Sequence, residues 1–96
     1  PHIVASILAA SISDVPDEQF KYAGGGLKDT TRVAGGSPKL WQSILSQNSG
    51  QILKSIDEFE KTLETLKSSL VSQDLNSLHK ILNEGLLVRK TIEKFK

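Results

Sequence analysis

The stretch QILKSIDEFEKTLETLKSSLV, residues 51–71, determines the fold class that we expect for this chain. Its large apolar side chains recur at intervals of four and three residues: Ile52, Ile56, Phe59, Leu63, Leu66 and Leu70. This spacing places one apolar stripe along an α-helix and continues as a heptad pattern for nearly three heptads. The stretch therefore predicts a long amphipathic helix that needs a partner helix, either from the same chain or from another subunit.

A second helix, predicted from Leu75 to about Phe95, offers such a partner. Its stripe is formed by Leu75, Leu78, Ile81, Leu82, Leu86, Ile92 and Phe95. Asp74 is a suitable N-cap, and Gly85 weakens the helix by roughly 1 kcal/mol relative to alanine. Because only residues 73–74 separate the two helices, we expect them to be antiparallel neighbours.

The first half of the chain contains shorter helical patterns. Residues 2–13 carry one apolar stripe, Pro16 stops it, and residues 17–22 can form one or two turns. Ser37 and Pro38 are favoured at the N-cap and first position of a further helix, whose apolar face is Leu40, Trp41, Ile44 and Leu45. No stretch alternates like a β-strand. We therefore predict one all-α domain, residues 1–96, a helical bundle of about five to six helices.

The segment GGGLKDTTR, residues 24–32, is not explained by helical periodicity. Three glycines allow a turn with positive φ or a close approach to the backbone. A helix that begins near Gly26 and ends at Gly35 and Gly36 would place Asp29 and Arg32 on one face. A glycine-lined opening beside this pair of charged residues could receive an anionic ligand or a partner subunit. The simpler alternative is a loop, a helix start and an ordinary surface ion pair.

Composition excludes several classes of function. The net charge is +1, from 12 basic and 11 acidic residues, which argues against a nucleic-acid-binding surface. The absence of cysteine excludes disulfides, thiolate metal sites and cysteine nucleophiles, and two histidines alone argue against structural zinc. No apolar run approaches the ~20 residues that span a bilayer, and neither GxGxxG nor GxxxxGK[ST] occurs. The chain begins with proline, which indicates processing or a piece of a longer protein.

One known family shares the unexplained segment. GGGLKDTTRVAGGSPKLWQSIL, residues 24–45, resembles the GGGFRDTTRIAxSDPxMWxDIF signature of bacterial prephenate dehydrogenases, and residues 1–5 resemble the end of the family's SHLPH segment. The helical tail is similar in pattern only. The departures are conservative, with Gly36-Ser37-Pro38 in place of Ser-Asp-Pro as the largest among them.

The resemblance implies the family's helical C-terminal region, an intertwined homodimerisation domain similar to the C-terminal part of 6-phosphogluconate dehydrogenase. In that family NAD and the general-base histidine belong to a separate N-terminal Rossmann domain. We therefore expect no catalytic, cofactor-binding or metal-binding residue in this fragment, and no catalysis by it alone. The whole enzyme would be cytoplasmic and would convert prephenate to 4-hydroxyphenylpyruvate with NAD, in tyrosine biosynthesis.

The resemblance also implies five substrate-binding residues. Arg32 would bind a carboxylate of prephenate, because a guanidinium matches carboxylates in a two-pronged geometry. His2 would contribute to the same pocket, Gly25 would line it, and Trp41 would lie at its edge. Asp29 would pair with or position an arginine near the subunit boundary. From the residues alone, His2 would be a solvated terminal histidine, Trp41 a core residue, and Asp29 and Arg32 a surface pair.

A second hypothesis belongs to a different class of protein. The heptad stripe could make the chain a helical protein–protein interaction module with no substrate. Substitution of Arg32 separates the two hypotheses, since it should abolish binding of prephenate or tyrosine only under the first.

Overall fold

The computed structural model describes residues 1–21 and 24–95, which fall into two compact units, Pro1–Gln47 and Asn48–Lys96. Within the described residues there are six α-helices, one 3₁₀ turn and no β-strand, so the prediction of an all-α fold is confirmed. None of the helices in this part of the chain is long and apolar enough to cross a membrane.

The first unit contains four α-helices and the 3₁₀ turn. In chain order they are α1 (His2–Ser11), α2 (Asp17–Phe20), α3 (Gly24–Thr31), the 3₁₀ turn (Arg32–Gly35) and α4 (Pro38–Gln47). Helix α1 packs against α3 and the 3₁₀ turn, and Ala5 is the buried residue of this contact face, with 2% of its surface exposed. The expected turn at residues 17–22 is observed as α2, although Tyr22 lies outside the described residues.

The glycine segment forms the start of α3, two residues earlier than expected. Gly24 has φ of +72°, a left-handed conformation that favours glycine, which agrees with the predicted turn. The threonine hydroxyls of the segment donate hydrogen bonds within the helix, Thr30 to the Gly26 carbonyl at 2.7 Å and Thr31 to the Leu27 carbonyl at 2.8 Å. The α-helical geometry ends at Thr31, so Arg32 begins the 3₁₀ turn rather than continuing α3.

Helix α4 begins as the sequence predicts. The Ser37 hydroxyl oxygen accepts a hydrogen bond from the Leu40 backbone N–H at 3.3 Å, and Pro38 is the first helical residue. On the predicted apolar face Trp41, Ile44 and Leu45 are half-buried, whereas Leu40 is exposed. The cap is thus confirmed, and the apolar face is only partly covered.

The second unit is a pair of packed helices, α5 (Ser49–Ser72) and α6 (Leu75–Glu93). Gln73 ends α5 with φ 56° and ψ 37°, and the Asp74 N–H donates to the Ser69 carbonyl at 2.9 Å. Asp74 caps α6, since its side chain accepts from the Ser77 N–H at 3.1 Å. Both the short connection and the Asp74 N-cap agree with the sequence.

The heptad stripe of α5 is covered only in part by α6. Ile52, Ile56 and Leu66 are half-buried, but more than half of the surface of Phe59, Leu63 and Leu70 is exposed. Helix α6 also leaves large apolar side chains in solvent: Leu75, Leu82, Leu86, Leu87, Val88 and Ile92. Of the described residues only Ala5 and Ser69 are buried, so neither unit has a substantial core of its own.

Candidate functional site

A pocket of about 480 Å³ opens in the first unit. It is lined by Pro1, His2, Arg32, Val33, Gly36 and Trp41. Three of the five residues predicted to bind substrate are therefore neighbours, although they lie up to 39 positions apart in the sequence. The pocket depends on the packing of α1 against the 3₁₀ turn, which brings the start of the chain beside Arg32.

The His2 and Trp41 rings are stacked. Their centroids are 3.8 Å apart and the ring planes differ by 10°. His2 is the first residue of α1, and Trp41 lies in the first turns of α4, so the stack joins the two helices. Trp41 is half-buried and serves the packing of this unit, while its ring also forms part of the pocket wall.

Both ring nitrogens of His2 are buried, and neither has a hydrogen-bond partner within the described residues. A buried polar atom without a partner is unfavourable, because it has lost its hydrogen bonds to water. Imidazole always carries at least one N–H donor, and both nitrogens donate when the ring is charged. The imidazole N–H of His2 therefore lacks a hydrogen-bond acceptor within the described residues.

Arg32 supplies the charge of the pocket. It is exposed and forms no ion pair with any described residue, so its five N–H donors are not used by another side chain. None of the six lining residues, all of which are described, is acidic. The pocket therefore combines a cation, a ring stack and an imidazole without hydrogen-bond partners, a composition that suits an anionic ring compound.

Asp29 is not part of this pocket. Among the described residues no ion pair joins Asp29 and Arg32; α3 ends at Thr31, and Arg32 begins the 3₁₀ turn. The expectation of an Asp29–Arg32 pair on one helical face is therefore not met within a single chain. The role of Asp29 near a subunit boundary stays a prediction.

Gly25 does not line the pocket either, and a Cβ atom there would meet nothing within 4 Å. Its predicted role at the substrate is likewise untested. Gly36 lines the pocket instead, together with Pro1 and Val33, and sequence reasoning missed all three. The sequence does contain a hint of this role, because Gly36 is the second of two consecutive glycines and lies five residues before Trp41. We interpreted these glycines only as the end of a helix.

Two arrangements typical of cofactor and metal sites, a Rossmann-type glycine turn after a strand and a cluster of three metal ligands, are not seen in the described residues. A dinucleotide site of the Rossmann type needs a strand followed by a glycine-rich turn and a helix. Here the glycines that begin α3 come after the short helix α2, and the described part of the chain has no strand. No group of three histidine, aspartate or glutamate side chains in that part could hold a metal ion.

Comparison with known proteins identifies the family. The family model described as prephenate dehydrogenase, dimerization domain, matches residues 1–84. The chain is 30% identical to a cyclohexadienyl dehydrogenase of Zymomonas mobilis, over 97% of this chain and 33% of that protein. It is 31% identical to the prephenate dehydrogenases of Lactococcus lactis and Bacillus subtilis, over 97% and 81% of this chain and 27% and 22% of those proteins.

No solved structure matches the chain. The chain spans a third or less of the length of these curated relatives. The family match covers both the pocket-forming unit and most of the helix pair. It confirms the resemblance that the glycine segment indicates, and the chain belongs to the family of prephenate dehydrogenase dimerization domains.

Proposed function

We propose that this domain is the dimerisation and substrate-binding part of an NAD-dependent prephenate dehydrogenase. In the proposed reaction the ring carboxylate of prephenate leaves as CO₂, the carbinol carbon loses a hydride, and the product is 4-hydroxyphenylpyruvate. The observation that carries the proposal is the pocket that combines Arg32, His2 and Trp41. Family membership supports the choice of substrate.

Arg32 is proposed to bind a carboxylate of prephenate. A guanidinium forms two parallel charge-assisted hydrogen bonds with a carboxylate, which fix orientation as well as charge. No other described side chain competes for the guanidinium in this chain. The substrate would therefore be held by the residue whose donors have no other partner.

His2 and Trp41 are proposed to hold the rest of the ligand. The N–H of the His2 ring would donate a hydrogen bond to a ligand oxygen. This bond would give a partner to one of the two buried ring nitrogens. The Trp41 indole presents an apolar face beside it, against which the substrate ring can pack. Tyrosine also carries a ring and a carboxylate, and we propose it as a second ligand of the same pocket.

NAD is proposed to bind outside residues 1–96, in keeping with the absence of a strand–turn–helix unit from the described residues. When bound, it would accept the hydride. The enzyme is proposed to be cytoplasmic. The residues of this domain would contribute binding and orientation of the substrate, which lower the barrier by holding the reacting groups in place.

A second copy of the chain is proposed to cover the exposed apolar faces of α5 and α6. More than half of the surface of many large apolar side chains is exposed there, far more than scattered surface residues would explain. The same surface supports the alternative of an interaction module without a substrate. That alternative leaves the pocket and the unpaired imidazole of His2 without a role.

Kinetics of the enzyme that carries this domain test the proposal. Arg32→Gln should raise KM for prephenate at least about tenfold, since hydrogen bonds to charged groups contribute roughly 1.5–3 kcal/mol. Arg89→Gln is the matched control, because Arg89 is the other arginine of the chain and forms an exposed ion pair with Glu93 in the second unit. Equal kinetic constants for both variants would contradict substrate binding by Arg32 and favour the interaction module.

A further inference from the structure

Gly36 lies against the stacked rings of the pocket. A Cβ atom built on it would be 3.0 Å from Trp41 Nε1, 3.3 Å from Trp41 Cδ1 and 3.7 Å from His2 Nε2. A contact of 3.0 Å is closer than side chains tolerate without movement. The chain has seven glycines, all within its described part, and only at Gly36 would a Cβ atom meet anything within 4 Å.

The backbone at Gly36 does not itself require glycine. Its φ of −74° and ψ of 171° are extended values that any residue adopts. Glycine is therefore favoured at position 36 for a steric reason. The edge of the Trp41 indole lies where a Cβ atom would otherwise be. Gly35, its neighbour, has open space around the same position and an ordinary φ.

Movement of the indole would not stay local. Trp41 is stacked on His2 at 3.8 Å, so an indole that gives way by a few tenths of an ångström also changes its contact with the imidazole. A neutral imidazole has one N–H donor and one acceptor nitrogen, and at His2 neither has a partner within the described residues. Position 36 therefore influences where this imidazole lies relative to Arg32, which lines the same pocket.

We propose that Gly36 is a positioning residue of the pocket. Its lack of a side chain lets Trp41 lie against the backbone, and this holds the His2 ring where it can donate to a carboxylate ligand. The inference rests on the proposed function, because the ligand is the substrate proposed there. Gly36 itself need not touch the ligand, and its effect passes through Trp41 and His2.

Kinetics of Gly36→Ala and Gly35→Ala in the enzyme that carries this domain provide the first test. Gly36→Ala should raise KM for prephenate roughly tenfold, which corresponds to about 1.4 kcal/mol of lost binding, with kcat within about twofold. Gly35→Ala should leave both constants unchanged. Trp41 is the chain's one tryptophan, so its fluorescence in the 96-residue chain reports the indole directly. The emission maximum should move in Gly36→Ala and stay in Gly35→Ala.

A double-mutant comparison separates positioning from a general effect on folding. Leucine has no ring, and its flexible branch can move aside from the added methyl group, so the KM penalty of Gly36→Ala should largely vanish in a Trp41→Leu background. A full penalty in that background would overturn the proposal. Loss of helical circular dichroism in Gly36→Ala alone would also overturn it, since the glycine would then serve the fold.

The outcomes distinguish the two proposals. If the unaltered enzyme does not turn over prephenate, the proposed function fails, while the fluorescence comparison still decides whether Trp41 rests on Gly36. If the enzyme is active and the two alanine variants have the same KM and the same emission, the positioning role fails and the proposed function stands.

Discussion

At the scale of single residues, Gln73 stands out, because in the described part of the chain it is the one residue other than glycine with a positive φ. It ends α5 in the left-handed conformation, at φ 56° and ψ 37°, where a Cβ atom is unfavourable. Glycine is the usual residue at this position after a helix, because it adopts the conformation at no steric cost. The connection between α5 and α6 therefore keeps a conformational cost that one substitution should remove.

We expect Gln73→Gly to raise the free energy of unfolding by about 0.5–1 kcal/mol, after the greater freedom of glycine in the unfolded chain is subtracted. Urea unfolding followed by circular dichroism measures the difference. Gln42→Gly is the matched control, since Gln42 lies inside α4 and the same change there should lower stability by about 1 kcal/mol. A decrease in both variants would contradict the assignment of strain to Gln73.

At the scale of elements, the start of α6 depends on a capping residue that the sequence already indicates. Asp74 caps α6 through two bonds, one from the Ser77 hydroxyl at 2.7 Å and one from the Ser77 N–H at 3.1 Å. The pKa of Asp74 is below its ordinary value of 3.8, mainly because its carboxylate accepts the hydrogen bond from the Ser77 hydroxyl. The hydrogen bonds from backbone N–H groups lower the pKa further.

A depressed carboxyl pKa makes this cap sensitive to acid. Because the folded pKa is lower than the unfolded one, the contribution of Asp74 to stability is complete above its ordinary value of 3.8. It is lost as the pH falls below that value and through the folded pKa. Unfolding curves should show this acid-induced loss for the unaltered chain and a smaller loss for Asp74→Asn, which keeps an acceptor but does not titrate. Identical pH profiles would contradict the assignment.

Gly85 is the interior glycine of α6, and a Cβ atom there would meet nothing within 4 Å in this chain. Gly85→Ala should therefore stabilise the helix by roughly 1 kcal/mol, as helix propensity alone predicts. Thermal unfolding at a fixed concentration measures the change. A lower stability that is accompanied by weaker self-association would instead show that another helix lies directly against Gly85.

Local signals explain why the elements were predictable and the pocket was only partly so. Ser37-Pro38 and Asp74 determine helix starts through bonds to residues three positions away, and these bonds are found. The pocket residues Arg32, His2 and Trp41 were indicated by resemblance, not by spacing. Their stacking and the close contact with Gly36 depend on the packing of α1 against the 3₁₀ turn and on the ring contact between His2 and Trp41, which no local pattern encodes.

At the scale of the whole molecule, the small amount of buried surface limits the stability of a single chain. Only two of the described residues, Ala5 and Ser69, are buried, and neither is large. A chain of 96 residues buries a modest share of its surface even with a good core. Stability should therefore come largely from association, and it should rise with protein concentration.

Sedimentation equilibrium at micromolar concentrations should show a dimer of the 96-residue chain, and Leu63→Lys should shift it toward monomer. Leu63 belongs to the heptad stripe and more than half of its surface is exposed, so a charge there would be buried by a second copy. Thr62→Lys adds the same charge one position away and should leave the dimer intact. A monomer of unaltered sequence with a concentration-independent melting temperature would contradict the proposed homodimer.

The lining of the pocket comes from residues between Pro1 and Trp41 of one chain. In a cell that makes an intact and a pocket-defective form of the subunit, every assembled pair would still contain one copy of this lining for each intact chain. A defect at Arg32 should then have no dominant-negative effect, with activity in proportion to the dose of the intact gene. A defect on the exposed apolar face of α5 would behave differently, because it would be shared by both members of every mixed pair.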